Sequence, residues 1–302
     1  MIIVKIIGGL GNQLFQYATG RAISIEQKAD LKLDISFFNN DKYRKVYKLG
    51  EFNLPFQIAV DQEIQRLKNS ESTPIIKKIL NKIGIRIYPY AKRSHLKEKD
   101  ILKLYNSNKD KNLDYYIEGW LADEVYFKKQ RKIILEDLKI EHLLDDESKL
   151  VLNEIKITNA VAVHIRRGDY LTNSYFSNLD KEYYQAAMNH ILREVETPVF
   201  FFFSDDIQWV KENYSSINNS RFVEHNSTAA TEWNTIGEIS DLILMSSCKH
   251  QIIANSTFSW WGAWLNQNPE KIVIAPAKWY NNEKAQRSYE TGTFLPIDWI
   301  KI

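Results

Sequence analysis

Val161-Ala162-Val163-His164-Ile165-Arg166-Arg167-Gly168-Asp169-Tyr170 runs from a β-branched apolar segment straight into two arginines and an aspartate. A guanidinium is a fixed fork of N–H donors that stays charged, so an adjacent Arg pair suits a phosphate or carboxylate ligand. An Arg–Asp surface network is the plainer use. Residues 161–165 have the content of a buried strand and Gly168 supplies a turn, which puts Arg166 and Arg167 at a strand's C-terminal mouth, where open α/β sheets bind ligands. Two later segments share this grammar. Pro198 to Phe203 reads PVFFFF and is followed by Ser204-Asp205-Asp206; His250 to Ala254 reads HQIIA and is followed by Asn255-Ser256-Thr257 and the helical FSWWGAWL. Ser256 and Thr257 are good N-cap residues, and the helix they open presents free N–H groups and a positive dipole end to an anion. The three polar strand ends are expected to converge on one rim.

The front of the chain supplies a fourth such element. Ile2 to Ile7 reads as a strand, Gly8-Gly9-Leu10-Gly11-Asn12 as a loop, and the following stretch to about Glu26 as a helix with Leu14, Phe15, Ala18, Ala22 and Ile25 on its apolar stripe. Gly9-x-Gly11-x-x-Leu14 is a partial dinucleotide fingerprint, and Asp34 ends a following strand at nearly the right distance for a ribose-binding carboxylate. The third glycine is missing, which weakens a nicotinamide or flavin oxidoreductase as an alternative.

Composition bounds the rest. The chain has 302 residues, 44% apolar and 13% aromatic, enough for two packed domains. No run of about 18 apolar residues and no leader with a charged n-region is visible, so a cytoplasmic protein is expected. The single Cys248 falls beside an apolar helical stretch and reads as a buried, inert thiol. The histidines are scattered without ligand spacing, and although Asp205-Asp206 could hold magnesium, the Arg pair already offers the charge a departing phosphate needs. No metal is expected.

Charge is uneven although the net is only +2. From Arg66 to Lys111 there are 13 Lys or Arg against 4 acids. Within this block Thr73-Pro74 starts a basic amphipathic helix that Gly84 ends. A helix packed on its own domain is the commoner outcome; peripheral contact with an anionic inner membrane is the alternative. The excess is local and no recognisable nucleic-acid module accompanies it, so no nucleic-acid partner is expected. Glu141 to Thr158 reads as a helix leading to a boundary near Ile157, which gives domains 1–157 and 158–302, each α/β.

Gly8-Gly9-Leu10-Gly11-Asn12-Gln13, His164-x-Arg166-Arg167-x-Asp169-Tyr170, Ser204-Asp205-Asp206 and Asn255-Ser256-Thr257-Phe258-Ser259-Trp260-Trp261-Gly262-Ala263-Trp264 resemble, in order and spacing, the motifs of the bacterial α-1,2-fucosyltransferases of glycosyltransferase family 11. The resemblance runs from Met1 to about Trp299, with no motif in the basic block. It implies a GT-B-type fold of two Rossmann-like domains facing across a cleft, with an N-terminal acceptor-side domain and a C-terminal domain that binds GDP-L-fucose. It further implies inverting transfer, without a metal or other cofactor, to the 2-hydroxyl of a terminal β-galactose in an O-antigen or other surface glycan, a lipid-linked glycan included.

Leaving-group stabilisation suits Arg166, with Arg167 bracing the loop, and Ser256 and Thr257 hold the phosphates from the other side. By resemblance Asp241 reads guanine, His164 sits near the nucleotide, Asn12 reaches the donor, and Ser204, Asp205 and Phe258 complete the donor site. Asp169 stays open between general base and orienting partner of the arginines. Trp120, Tyr175 and Phe176 could stack on an acceptor sugar, core packing being the commoner use. A non-catalytic glycan-binding protein, suggested by 8 Trp and 16 Tyr, would need no phosphate clamp. Linkage and acceptor vary among proteins that share these motifs.

Overall fold

The computed structural model describes residues 1–39, 46–69, 94–101, 114–139, 144–168, 170, 173–224, 226 and 235–302. The helix expected from Thr73, most of the basic block and Asp169 lie outside these residues. The chain divides into two units, Met1–Leu138 and Lys139–Ile302.

The first unit is built on a parallel five-stranded sheet. Its strands are β1 (Ile2–Lys5), β2 (Leu31–Asp34), β3 (Gln57–Ile58), β4 (His95–Lys97) and β5 (Tyr115–Glu118), in the order β3-β2-β1-β5-β4. The chain winds outward from β1 through β2 to β3 and then returns to pair β5 on the other side of β1, so the direction of winding reverses between β1 and β5. Helix α1 (Leu10–Gln27) joins β1 to β2 and buries Leu14, Phe15 and Ala18 completely. The close approach of helix to strand falls at Gly20, where a Cβ would come within 2.4 Å of Val4 Cγ2. The glycine that a dinucleotide fingerprint needs three residues after Gly11 is thus absent for a reason: Leu14 fills core there. The acid of that alternative is also committed, because Asp34 is buried and accepts from Tyr116 Oη at 2.7 Å and Ser36 N at 3.0 Å. Burial acts to raise its pKa, but the bonds from Ser36 and Tyr116 and the nearby Lys68 outweigh it and hold the carboxyl below its usual range. Helices α2 (Asp61–Asn69) and α3 (Arg131–Asp137) complete the described part of this unit.

The second unit begins earlier than expected. Helix α4 (Asp146–Ile157), N-capped by Asp145 through Ser148 N at 2.7 Å, buries Leu152 and Ile155 and packs on α7 (Thr235–Ser247), so it is a layer of the second unit and the division falls after Leu138 rather than after Ile157. The sheet here has six parallel strands: β6 (Asn159–Ile165), β7 (Pro198–Ser204), β8 (Ser220–Phe222), β9 (His250–Ile252), β10 (Val273–Ala275) and β11 (Ile300–Lys301), ordered β11-β10-β9-β6-β7-β8. That is the doubly wound dinucleotide-fold order, with its reversal between β6 and β9. Phe200 and Phe202 pack with Val161, Val163, Tyr183, Tyr184 and Met188 on one face, while Phe201 and Phe203 are buried on the other. A strand covered on both faces needs this unbroken apolar run.

The remaining helices are α5 (Lys181–Glu194), α6 (Ile207–Tyr214), α8 (Thr257–Leu265) and α9 (Glu283–Thr291). Gly262 lets α8 close on α7, since a Cβ there would meet Met245 Cε at 2.5 Å. Cys248 is buried, and burial pushes its thiol pKa up, in keeping with an inert side chain.

Candidate functional site

The C-terminal rim of the second sheet collects the expected residues around the β6/β9 reversal. β6 ends at Ile165 and Arg166-Arg167-Gly168 follow; β7 ends at Ser204 and Asp205-Asp206 follow. Asp205 joins the two loops, its Oδ2 lying 3.1 Å from Arg166 Nη1 and its Oδ1 accepting from Arg167 N at 2.9 Å. Gly168 leaves room for this, because a Cβ there would crowd Asp205 Oδ2 and push the carboxylate from its place. Arg167 turns away from its neighbour. Its Nε donates to Asp206 Oδ2 at 3.0 Å and its guanidinium lies 3.6 Å from the centre of the Trp209 ring. Asp206 also caps α6 by accepting from Trp209 N, and Ser204 Oγ accepts from Asp206 N at 3.0 Å. Ser204 and Asp205, expected to touch the donor, are therefore used first within the protein: an ionised carboxylate can only accept, and the donors available to it here are the arginines. Asp205 and Asp206 brace the two arginines, and Asp169 lies outside the described residues.

The second side of the rim is the start of α8. Ser256 is its N-cap, with Oγ accepting from Phe258 N at 3.3 Å, and Thr257 is the first helical residue. Asn255 fixes this corner from below, its buried amide donating to Ser177 O at 2.7 Å and Trp279 O at 2.9 Å. Tyr170 ties the two sides together, since its hydroxyl donates to Asn255 O at 3.0 Å while its ring lies 5.7 Å from the Arg166 guanidinium carbon. His164 does so from beneath, its ring 5.6 Å from that of Phe258. Burial and then the charge of Arg166 push the imidazole down to about 3, so it is neutral at ordinary pH. Its buried Nδ1 has no hydrogen-bond partner among the described residues. A cationic guanidinium, a helix N-terminus and an orphaned neutral imidazole at one sheet reversal suit an anionic ligand that carries hydrogen-bonding groups.

Asp241 stands on α7, where its Oδ1 accepts from Asn226 Nδ2 at 2.9 Å. Burial, opposed by that bond and reinforced by Glu238, pushes its pKa up to about 7.

The first unit has its own rim. Asn12 is not in a loop: α1 starts at Leu10 with Gly9 as N-cap, and Asn12 lies in the first turn, its N–H bonded to Gly9 O at 3.0 Å. Gln13 and Gln16, three residues apart on α1 and fully buried, hold this end together; the sequence reading names Gln13 only as the end of the N-terminal motif and passes over Gln16. Gln13 Nε2 donates to Gly8 O (3.0 Å) and Val46 O (2.8 Å), and its Oε1 accepts from Lys48 N (2.9 Å). Gln16 Oε1 accepts from Ile7 N (2.8 Å) and its Nε2 donates to Gly119 O (3.2 Å). The readable signal was two amides lying among the apolar residues of the helix. Of the three aromatic candidates, Phe176 stacks on Tyr170 with ring centres 4.5 Å apart, whereas Trp120 and Tyr175 are exposed.

Two parallel α/β sheets of this kind make up the GT-B fold, and the solved NodZ alpha-1,6-fucosyltransferase soaked with GDP-fucose shares it. The TM-score is 0.51 at 14% identity, covering 90% of this chain and 94% of that one. The profile of glycosyl transferase family 11 matches residues 1–302, and the chain belongs to that family. It is similar to an alpha-1,2-colitosyltransferase of Escherichia coli, 30% identical over 100% of this chain and 99% of the relative. It is 34% identical to the O-antigen biosynthesis glycosyltransferase WbnK of Escherichia coli, over 94% and 97%. Galactoside alpha-(1,2)-fucosyltransferase 1 of Homo sapiens is 25% identical over 62% of this chain and 52% of the relative.

Proposed function

We propose that this family 11 glycosyltransferase moves L-fucose from GDP-L-fucose, with inversion, to the 2-hydroxyl of a terminal β-galactose in a surface glycan. The observation that carries the reading is Arg166, held by Asp205 at the sheet reversal that also carries the N-cap of α8 and the neutral His164, whose Nδ1 has no partner among the described residues. Support for the donor comes from the shared fold with a fucosyltransferase soaked with GDP-fucose. Support for the linkage and acceptor comes from the relatives whose names carry alpha-1,2 transfer, galactoside and O-antigen.

In this reaction the acceptor 2-hydroxyl oxygen bonds to the anomeric carbon as the bond from that carbon to the diphosphate oxygen breaks. The hydroxyl proton leaves to a base and GDP departs with the bonding pair. Negative charge therefore grows on the diphosphate, and Arg166 with the positive end of the α8 dipole, opened by Ser256 and Thr257, is assigned to meet it. Asp241 is assigned to the guanine, whose N1 and N2 donors need an acceptor, with His164 and Phe258 beside the nucleotide. With the arginines braced by Asp205 and Asp206, Asp169 is assigned to the acceptor hydroxyl. No metal is required in this scheme, because the charge of the leaving group is met by Arg166 and the helix.

The 30% identity to a colitosyltransferase favours one second reading, GDP-colitose as donor. A thermal-shift and transfer panel of GDP, GDP-fucose, GDP-colitose, GDP-mannose, UDP and NAD decides among them, since a ligand that binds only the folded state raises its apparent stability. Stabilisation by GDP with turnover of GDP-fucose is expected; turnover of GDP-colitose alone moves the donor, and stabilisation by NAD alone sinks the reading. Arg66, Lys68 and Lys97 of the basic block are paired with Asp114, Asp34 and Glu118, which favours packing on the protein's own domain; peripheral contact with an anionic membrane is the alternative, and sedimentation with anionic vesicles is its check.

A further inference from the structure

At the reversal of the first sheet, between β1 and β5, the chain places a tryptophan in solvent on a backbone tied down at neighbouring residues. Trp120 directly follows Gly119 at the end of β5 and is 54% exposed, the only tryptophan among the described residues that is exposed. Its ring faces no other aromatic ring, and its indole N–H has no partner, among the described residues. Its backbone is fixed from three sides. Trp120 N donates to Glu98 Oε2 at 3.2 Å, Gln16 holds Gly119 O, and Leu121, fully buried, takes a left-handed φ of 55°. A non-glycine residue in that region is strained, which a folded chain tolerates where the surroundings demand it and which is common at ligand sites. Gly119 cannot be larger, because a Cβ would lie 2.7 Å from Glu98 Cβ.

The ring has polar company. Gly8, at φ 81°, ends the loop after β1, and a Cβ built on it would lie 2.8 Å from Asn12 Nδ2 and 3.3 Å from Trp120 Cζ3. The amide and the indole edge thus flank the same glycine. Asn12's amide makes no hydrogen bond among the described residues. An aromatic face carries negative potential and attracts the C–H faces of a sugar ring, while an amide beside it offers both a donor and an acceptor to ring hydroxyls. Ligand sites in sheets of this kind lie at the reversal, and this is the first unit's reversal.

We propose that Trp120 is the platform for the pyranose ring of the acceptor, with Asn12 as its hydroxyl partner and Glu98 as the positioning residue that holds the 119–121 turn. This rests on the glycosyl-transfer reading, yet it is separable from it because donor and acceptor binding are measured independently. Trp120 makes little of the core, so Trp120→Ala and Trp120→Phe are suitable variants of the full chain. With lactose as acceptor probe and GDP-fucose fixed, Trp120→Ala is expected to raise the acceptor KM by about tenfold or more, Trp120→Phe by less than about threefold, with kcat changed far less. Stabilisation by GDP and hydrolysis of GDP-fucose without acceptor should stay at wild-type levels in both.

An acceptor KM within twofold of wild type in Trp120→Ala overturns the proposal. So does a fall in GDP stabilisation, which would mean that the ring stacks on the base, or a change in molar mass by light scattering, which would mean that it packs on a second copy. Failure of the donor reading shows separately, as a wild-type chain that neither binds GDP nor turns over GDP-fucose. Saturation-transfer NMR of lactose still decides the platform in that case: a signal with wild type that disappears in Trp120→Ala supports it, and an equal or absent signal overturns it.

Discussion

Asp205 holds the side chain of Arg166 and the main chain of Arg167 with one carboxylate, at 3.1 Å and 2.9 Å. The two oxygens thereby couple the direction of the Arg166 guanidinium to the shape of the loop that carries it. An arginine on an exposed loop loses much rotamer freedom on binding a ligand; here Asp205 has already taken part of that cost. Arg167, next in sequence, is turned into the protein against Trp209 and Asp206. Adjacent residues of one type have therefore been given different tasks.

Arg166→Ala should lower kcat/KM for transfer by roughly two to four orders of magnitude, because its contribution grows as charge develops on the diphosphate. Arg166→Lys should restore little, since an ammonium lacks the planar fork. Steady-state transfer by folded variants is the measurement, and retention of more than about a tenth of wild-type kcat/KM by Arg166→Ala excludes a role worth several kcal/mol.

Arg167→Ala should act on stability more than on chemistry. The lost stacking on Trp209 and pairing with Asp206 should cost about 1–2 kcal/mol in a denaturant titration, the scale of a partly desolvated cation–π contact, with a smaller loss of kcat/KM than Arg166→Ala. The reverse ranking would assign the diphosphate to Arg167.

Asp241 couples donor binding to pH. Its pKa near 7 in the free protein means that below pH 7 the carboxyl is mostly protonated and cannot accept from two guanine donors. GDP should therefore bind roughly tenfold more weakly at pH 6 than at pH 8, by calorimetry. The stability of the free protein runs the other way: a carboxyl whose folded pKa is raised favours the folded state below its unfolded pKa near 4, and that contribution is lost as pH rises towards 7. Asp241→Asn should stabilise the free chain at pH 8, by at most about 4 kcal/mol, and flatten the pH dependence of GDP binding. A pH-independent GDP affinity in the wild type would contradict the assignment.

Gln13→Ala should be among the most damaging changes in the first unit. It leaves the carbonyls of Gly8 and Val46 and the N–H of Lys48 without their partner inside the structure, and a cost of about 2–4 kcal/mol is expected from denaturant unfolding. Loss below about 0.5 kcal/mol would show that water replaces the amide.

Transfer should survive EDTA. Asp205 and Asp206 are already paired with Arg166 and Arg167, so a divalent ion would have to displace two ion pairs to use them. Activity lost in EDTA and restored by Mg²⁺ would return the pair to metal binding.

Much of the second rim was legible because its signals are local. A β-branched run into Arg166-Arg167, the PVFFFF strand before Ser204, and Ser256 before an aromatic helix each specify a strand end or a helix start within ten residues, by patterns of period and capping that act between near neighbours. The family resemblance followed from the same short segments. What each polar group touches was not legible, because that depends on which strands lie side by side: β6 pairs with β7 and β9, and only this adjacency brings Asp205 to Arg166 and Phe258 to His164. For the same reason α4 could be found as a helix in the sequence but assigned to the wrong unit, since its apolar face is completed by α7, which lies almost eighty residues further on. Trp120 is the clearest case. Its sequence context favours core packing, yet the pairing of β1 with β5 leaves its ring in solvent beside Gly8 and Asn12. Side-chain type and spacing determined which chemistry is available to this chain, and long-range strand order, set by burial of the whole sheet, decided which of those groups meet.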